Sequence, residues 1–490
     1  MLHRIHPADD VAVALTAIEP GASVTLDGVA LVARDAIPRG HKLALHAIAP
    51  GEVVRKYGAP IGLATQAIEA GAHVHSHNLR TALEGLQSYD YAPRPRAAAP
   101  ARNDPGFLGY RRRDGRVGTR NEIWILCTVG CVARTSQRVA AEASRRFAGR
   151  VDGIYAFPHP FGCSQLGDDL LATRRMLAAL ASHPNAGGVL ILGLGCENNQ
   201  LDALLADAPL LDRDRLRAFT AQSVEDEEDA ALAAIEELVA IAERDRRTPA
   251  SLGDLVLGLK CGGSDGFSGL TANPLVGRIA DRVVAAGGTT ILTEIPEIFG
   301  AERLLMARAA TRDVFDGIVR VVDDFKDYFR AHGQPIYENP SPGNKDGGLT
   351  TLEEKSLGAV QKAGAATVTQ VLRYGDMVQA RGLALLESPG NDAVSSTALA
   401  AAGATLILFT TGRGTPLGFP APTLKIATNK DLAMRKPHWI DFDAGAMLDD
   451  ADATEDALLR TVLHAAAGAP TRAEQNGERE IALWKRGVTL

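Results

Sequence analysis

From residue 106 to residue 490, short apolar runs alternate with longer stretches of helical periodicity, and no other feature of the chain constrains its fold as strongly. A parallel strand covered by helices on both faces reads as one continuous apolar run, whereas a strand with one wet face alternates apolar and polar residues. Residues 123–126 (Ile-Trp-Ile-Leu), 188–192 (Gly-Val-Leu-Ile-Leu), 255–259 (Leu-Val-Leu-Gly-Leu), 290–293 (Thr-Ile-Leu-Thr) and 405–409 (Thr-Leu-Ile-Leu-Phe) are of the first kind. The clearest helix follows Ser223, read as its N-cap. Glu225, Asp226, Glu227 and Glu228 suit its positive end, Arg246 and Arg247 its negative end, and Leu232, Ile235, Val239 and Ala242 form its apolar stripe. The expectation is an α/β body, a parallel or mixed sheet with flanking helices.

The first 90 residues have a different texture. Short β-like runs (residues 29–32 and 52–56) are punctuated by Gly21, Gly28, Gly40, Gly51, Gly58, Gly62 and Gly71, the pattern of a small all-β module. Residues 91–105 carry four prolines and little apolar bulk, which suits an extended linker. The body then runs over 106–490, with a division into two subdomains expected near 245–255. A chain of 490 residues has room for such a multidomain plan.

The net charge of −7 argues against a general binder of nucleic-acid phosphates. The N-terminus has acidic residues where a signal peptide needs an apolar stretch, and the most apolar segment, near 398–409, is too short to span a bilayer. The reading is therefore a cytoplasmic protein without membrane or nucleic-acid partners. Five cysteines are too few, and odd in number, for a disulfide scaffold.

Ligands of open α/β sheets bind beyond the carboxyl ends of the strands, and here the strand candidates run into polar glycine loops. These are residues 193–199 (Gly-Leu-Gly-Cys-Glu-Asn-Asn), 261–269 (Cys-Gly-Gly-Ser-Asp-Gly-Phe-Ser-Gly) and 410–416 (Thr-Thr-Gly-Arg-Gly-Thr-Pro). A further loop, 339–348 (Asn-Pro-Ser-Pro-Gly-Asn-Lys-Asp-Gly-Gly), joins them. Inward-facing amides together with Lys345 and Arg413 suit a small carboxylate. No third glycine follows Gly193 and Gly195 in a dinucleotide fingerprint, and no phosphate-binding Gly-x4-Gly-Lys-Ser/Thr occurs, so neither NAD nor ATP is supported.

Two sets of residues offer metal ligands. His73, His75 and His77 would share one face of an extended strand and could present imidazoles to a single ion. Cys163, Cys196 and Cys261 occupy glycine loops at strand ends; they could hold an iron–sulfur cluster, join the histidines on one ion, or be small buried hydrophobes. Cys127 lies inside an apolar run and is assigned to the core.

The motifs themselves resemble the altronate/galactarate dehydratase family over nearly the whole chain. The resemblance rests on residues 40–42 (Gly-His-Lys), 56–58 (Lys-Tyr-Gly), 61–62 (Ile-Gly), 71–78 (Gly-Ala-His-Val-His-Ser-His-Asn), 115–121 (Gly-Arg-Val-Gly-Thr-Arg-Asn) and 162–169 (Gly-Cys-Ser-Gln-Leu-Gly-Asp-Asp). It continues through residues 193–200, 262–265, 271–274, 339–345 and 411–416. The 73–78 block, Cys196 to Gln200, residues 438–445 and the terminal 487–490 look closer to the altronate branch than to the galactarate branch.

The resemblance implies a SAF domain, a β-clip fold, at the N-terminus. It also implies conversion of the sugar acid D-altronate into 2-dehydro-3-deoxy-D-gluconate and water, dependent on a ferrous or manganous ion. Removing a proton α to a carboxylate creates an enediolate-like dianion that a metal and fixed donors must neutralise. On this reading His73 and His75 are the metal ligands. His159 and Lys345, with Cys163, Cys196 and Cys261, are the catalytic candidates. Arg120, Ser264, Asp265, Asn344 and Arg413 hold the substrate. An iron–sulfur cluster is the alternative cofactor. Galactarate dehydration, sulfite elimination from sulfolactate and non-catalytic sugar-acid binding are the alternative functions, and assembly into a homo-oligomer is left open.

Overall fold

A computed structural model describes residues 2–83, 87–94, 102–208 and 210–489. Much of the proline-rich segment, residues 95–101, lies outside them.

Residues 2–83 form an all-β module of short antiparallel strands. Leu2–His3, Val11–Ala14, Lys42–Ala44 and His73–Val74 make one four-stranded sheet, and Val53–Lys56, Ala59–Ala64 and Leu79–Arg80 make a three-stranded one. Pro20-Gly21 and Pro50-Gly51 explain the sharp reversals: proline fixes the first corner and glycine takes the left-handed second one, at φ 81° and 82°. Half of the module's core closes on itself around Ala12, Ile18, Val24, Ile37 and Leu43. The other half, including Val54, Ile61, Ile68, Val74 and Leu79, is continuous with the core of the body.

The body contains two parallel sheets. In the first the strand order is Gly153–Phe157, Glu122–Cys127, Ala186–Gly193, Leu216–Thr220. The second has the order Val368–Leu372, Gly382–Leu386, Thr289–Leu292, Val256–Cys261, Leu406–Thr411, Thr423–Ala427, Phe442–Asp443. The expected α/β body with flanking helices is what the chain forms, and all five apolar runs are strands within it. The helix after Ser223 begins later than expected. Ser223 closes a short turn, and the cap is Asp226, whose carboxylate accepts the amides of Glu228 and Asp229 ahead of helix Glu227–Ala242. Arg246 does serve the other end, donating to the Glu243 and Asp245 carbonyls.

In the seven-stranded sheet the chain leaves the central strand Val256–Cys261 toward Thr289–Leu292 on one side and later returns on its other side as Leu406–Thr411. That is a topological switch point, where an open α/β sheet has its ligand crevice. The loops beginning at Cys261 and Thr411 flank it.

The β-module is docked against this end of the sheet by a buried charged contact. Lys42 and Lys56 both pair with Glu354, at 2.9 and 2.8 Å, with all three side chains at most 1% exposed. Lys42 also donates to the Gly348 carbonyl and the Thr350 hydroxyl. Next to it the chain at Gly40 lies so close to Gly266 and Gly348 that a Cβ on either would collide with the Gly40 carbonyl. Glycine is required there for the close approach of three backbones. Among the described residues no helix is long and apolar enough to cross a membrane.

Candidate functional site

The docking places four imidazoles over the glycine loops. The strand carrying His73 ends at Val74, and residues 75–78 turn. Asn78 closes that turn, accepting the His75 amide and donating to the His73 carbonyl, both at 2.9 Å. The continuous strand expected through His77 is therefore replaced by a turn, yet the rings still gather. Ring centroids of His73 lie 5.4 Å from His75 and 5.5 Å from His77, and His41 joins them at 5.1 Å from His73 and 5.0 Å from His75. Sequence reasoning passed over His41 as a ligand, although it stands in the Gly-His-Lys block; it directly precedes strand Lys42–Ala44, which pairs with that of His73.

Hydrogen bonds set the protonation of the cluster. His41 Nε2 donates to the Asp346 carbonyl at 3.2 Å and His75 Nε2 to the Lys345 carbonyl at 3.0 Å. His41 Nδ1 is then an acceptor and takes the Nε2 proton of His73 at 3.0 Å. Burial first, and then the neighbouring imidazoles, push His73 down to about 3; burial also lowers His41 and His75. These are neutral imidazoles, the form a divalent transition ion requires; His41 has both nitrogens engaged, so an ion here would take Nδ1 of His73 and, in place of the Ser76 hydroxyl 3.0 Å away, Nδ1 of His75.

The histidines face loop 339–348. Ser341 and Asn344 close a reciprocal capping box at the start of helix Pro342–Asp346, and Asn344 Nδ2 donates to the Ser264 carbonyl at 2.8 Å. Asn344 is thus occupied in shaping the loop rather than free for substrate. Asp265 is similarly engaged, accepting from the Ser268 and Thr428 hydroxyls and the Phe267 amide. Ser264 is buried beside them. The ammonium of half-buried Lys345 and the guanidinium of exposed Arg413 make no hydrogen bond or ion pair among the described residues, so both remain available to a carboxylate.

Beneath the loops lies a charged cluster that sequence reasoning reached only through Cys261. The Lys362 ammonium is 2.7 Å from the Cys261 sulfur, and the thiol points at Glu294 and Glu297, at 3.7 and 3.5 Å. Lys260 pairs with Glu294 and Asp392, and Lys355 with Glu297. Burial, with Glu294 beside it, pushes the Cys261 thiol up to about 12. Ligand atoms of Cys261, Glu294 and Glu297 lie within 4.8 Å of one another. Three ammoniums already neutralise the three carboxylates and the thiol keeps its proton, so this is an ion-paired interior rather than a cage for a cation. Glu294 adopts a left-handed backbone, φ 68°, which only a well-determined surrounding sustains in a non-glycine residue.

The remaining candidates lie elsewhere. Cys163 and Cys196 are exposed on loops of the four-stranded sheet, whereas Cys261 is buried in the seven-stranded unit. His159 is buried with both nitrogens committed, Nε2 donating to the Cys127 carbonyl at 2.8 Å and Nδ1 accepting the Phe161 amide at 3.2 Å; it is a structural histidine and not a free proton carrier. Arg120 forks onto Glu474 and donates to the carbonyls of Thr119, Ala465 and Ala469, so its guanidinium cross-links the body instead of binding substrate. Cys127 is in the core, as expected.

The fold and site define an enzyme in which a small β-domain lends histidines to the ligand crevice of an α/β body. Three family patterns tile the sequence. The altronate/galactarate dehydratase SAF domain matches residues 2–82, the D-galactarate dehydratase/altronate hydrolase second domain 109–243, and the D-galactarate/altronate dehydratase C-terminal domain 252–489. The sequence is 49% identical to altronate dehydratase of Escherichia coli (strain K12) and 48% identical to that of Bacillus subtilis (strain 168), in each case over 99% of both chains. It is 33% identical to the galactarate dehydratase (L-threo-forming) of Escherichia coli (strain K12), over 95% of this chain and 92% of that one. The chain belongs to the altronate/galactarate dehydratase family and is a hydro-lyase.

Proposed function

We propose that the enzyme converts D-altronate into 2-dehydro-3-deoxy-D-gluconate and water, with the substrate held at the seam between the histidine turn and the loops 262–265, 339–348 and 411–416. The observation that carries this reading is the convergence of neutral imidazoles from the β-module on a loop whose Lys345 ammonium makes no hydrogen bond or ion pair among the described residues. The full-length likeness to altronate dehydratases favours the aldonate over an aldarate.

His73 and His75 would hold the metal, Fe(2+) or Mn(2+). When bound, that ion supplies positive charge to the substrate carboxylate and 2-hydroxyl and so acidifies the C2 hydrogen. Arg413 holds the carboxylate by a forked contact, and Lys345 donates a proton to the departing 3-hydroxyl. The C2 proton passes to an imidazole of the cluster that is free of the ion. Loss of water leaves an enol, which ketonises to the 2-keto-3-deoxy acid.

Anaerobically purified enzyme reconstituted with ferrous or manganous ion, incubated with a panel of C6 aldonates and aldarates, tests this. The expected result is a 2-keto-3-deoxy acid from D-altronate in preference to galactarate. Turnover of galactarate alone, or sulfite release from sulfolactate with no turnover of any aldonate, contradicts it.

A further inference from the structure

Helix Leu352–Ala359 carries three consecutive buried charged residues that point to two different parts of the molecule. Glu353 accepts from the Thr81 hydroxyl and the Ala82 amide, and Glu354 from Lys42 and Lys56, so both hold the β-module. Lys355 turns the other way. Its ammonium donates to Glu297 Oε1 at 2.9 Å, to Asn339 Oδ1 at 2.9 Å and to Asn344 Oδ1 at 3.2 Å.

Those three acceptors exhaust the donors of an ammonium. Two of them, Asn339 and Asn344, stand at the start and in the middle of loop 339–348, and the third belongs to the buried ion-paired interior. One side chain thus ties the loop to the rigid end of the seven-stranded sheet. The residue after Asn344 is Lys345, whose carbonyl receives His75, and the next is Asp346, whose carbonyl receives His41. A shift of the loop would move the Lys345 ammonium and both histidine acceptors together.

We propose that Lys355 is a positioning residue of the dehydration reaction: it fixes loop 339–348 so that Lys345 and the histidine cluster meet the substrate in register. The inference rests on the functional reading above. Misplacement of a reacting group by about 1 Å costs on the order of 100-fold in rate, so the effect belongs in kcat.

The test compares Lys355→Met, Lys345→Met and the double variant in the full-length, metal-reconstituted enzyme. Measurements are kcat and KM for D-altronate, and amide hydrogen exchange resolved by peptide. Lys355→Met should lower kcat by about 30-fold or more with KM within about threefold. Faster exchange should be confined to peptides covering 339–348. The double variant should be slower than Lys345→Met by clearly less than the factor by which Lys355→Met slows the parent, because part of the clamp's effect acts through the residue already removed. If Lys355→Met does not fold, Lys355→Met/Glu297→Gln removes both charges together and carries the same comparison. Retention of kcat within about twofold, full additivity with Lys345→Met, or an exchange increase spread evenly over 252–489 would overturn the proposal. Failure of the functional reading shows separately, as wild-type enzyme that turns over no sugar acid while the loop's exchange still responds to Lys355→Met.

Discussion

Replacing Glu354 by glutamine is the sharpest perturbation of the docking. The change is nearly isosteric, but it leaves the Lys42 and Lys56 ammoniums, 0% and 1% exposed, with no counter-ion between them. Breaking a buried pair by removing one partner costs about 3–5 kcal/mol, and here two cations share the lost carboxylate. For a chain of 490 residues the midpoint of thermal unfolding should fall by about 3–5 °C, with hydrogen exchange rising first around residues 40–45 and 348–354. Turnover should fall with it, since the same contact seats the histidines. The triple replacement of Lys42, Lys56 and Glu354 by methionine removes the charges altogether and should recover stability to within about 1–2 kcal/mol of the parent.

The pH dependence has a definite sign. Burial alone would raise the Glu354 carboxyl, but the two ammoniums outweigh it and hold it at about 2, below its ordinary value of 4.5. A carboxyl lowered by folding contributes stability that is present above pH 4.5 and is lost as the pH falls from 4.5 toward about 2. The Glu354→Gln protein should lack that part of the acid transition. A Glu354→Gln midpoint within about 1 °C of the parent, together with an unchanged acid limb, would refute the reasoning.

Two further variants separate substrate contacts from structural ones. Lys345→Met should lower kcat/KM by about 100-fold with an unchanged thermal midpoint, because the ammonium makes no hydrogen bond or ion pair among the described residues; unimpaired turnover with a lower midpoint reverses the assignment. Arg120→Met should do the opposite, destabilising the body by about 3 kcal/mol through the lost fork onto Glu474, which keeps only Arg479 as a partner, and through the carbonyls of Thr119, Ala465 and Ala469 that lose this donor, while the folded fraction keeps its KM; a raised KM with normal stability would restore Arg120 to the substrate site.

The α/β class was legible because a strand buried on both faces writes itself as an uninterrupted apolar run, and strands 122–127, 186–193 and 256–261 do so. The outer strand Leu216–Thr220, which has only one fully buried residue, carries no such run and was missed. Glycine loops announced where the crevice lies, since only close backbone approach explains Gly266 against Gly40. What the sequence could not display is pairing across distance. Lys42 and Glu354 are 312 residues apart, Lys362 and Cys261 are 101 apart, and no local pattern marks them as partners. Motif membership also does not distinguish a catalytic side chain from a cross-link. Arg120 stands in a family block and His159 just ahead of one, yet each spends every hydrogen-bonding nitrogen on the fold. Ser223 misled for a local reason: Asp226 offers the same capping chemistry three residues later, directly ahead of the first helical turn.

The central claim is that the imidazoles of the β-module form the reacting end of the site. Bound iron or manganese per chain and turnover of D-altronate, measured on the same anaerobic preparations of parent, His75→Ala and His77→Ala, test it most directly. His75 lies against the Lys345 carbonyl and His77 is exposed, so the account predicts that His75→Ala loses metal and turnover together at an unchanged thermal midpoint, while His77→Ala is milder in both. Full metal occupancy and normal turnover in His75→Ala would contradict it.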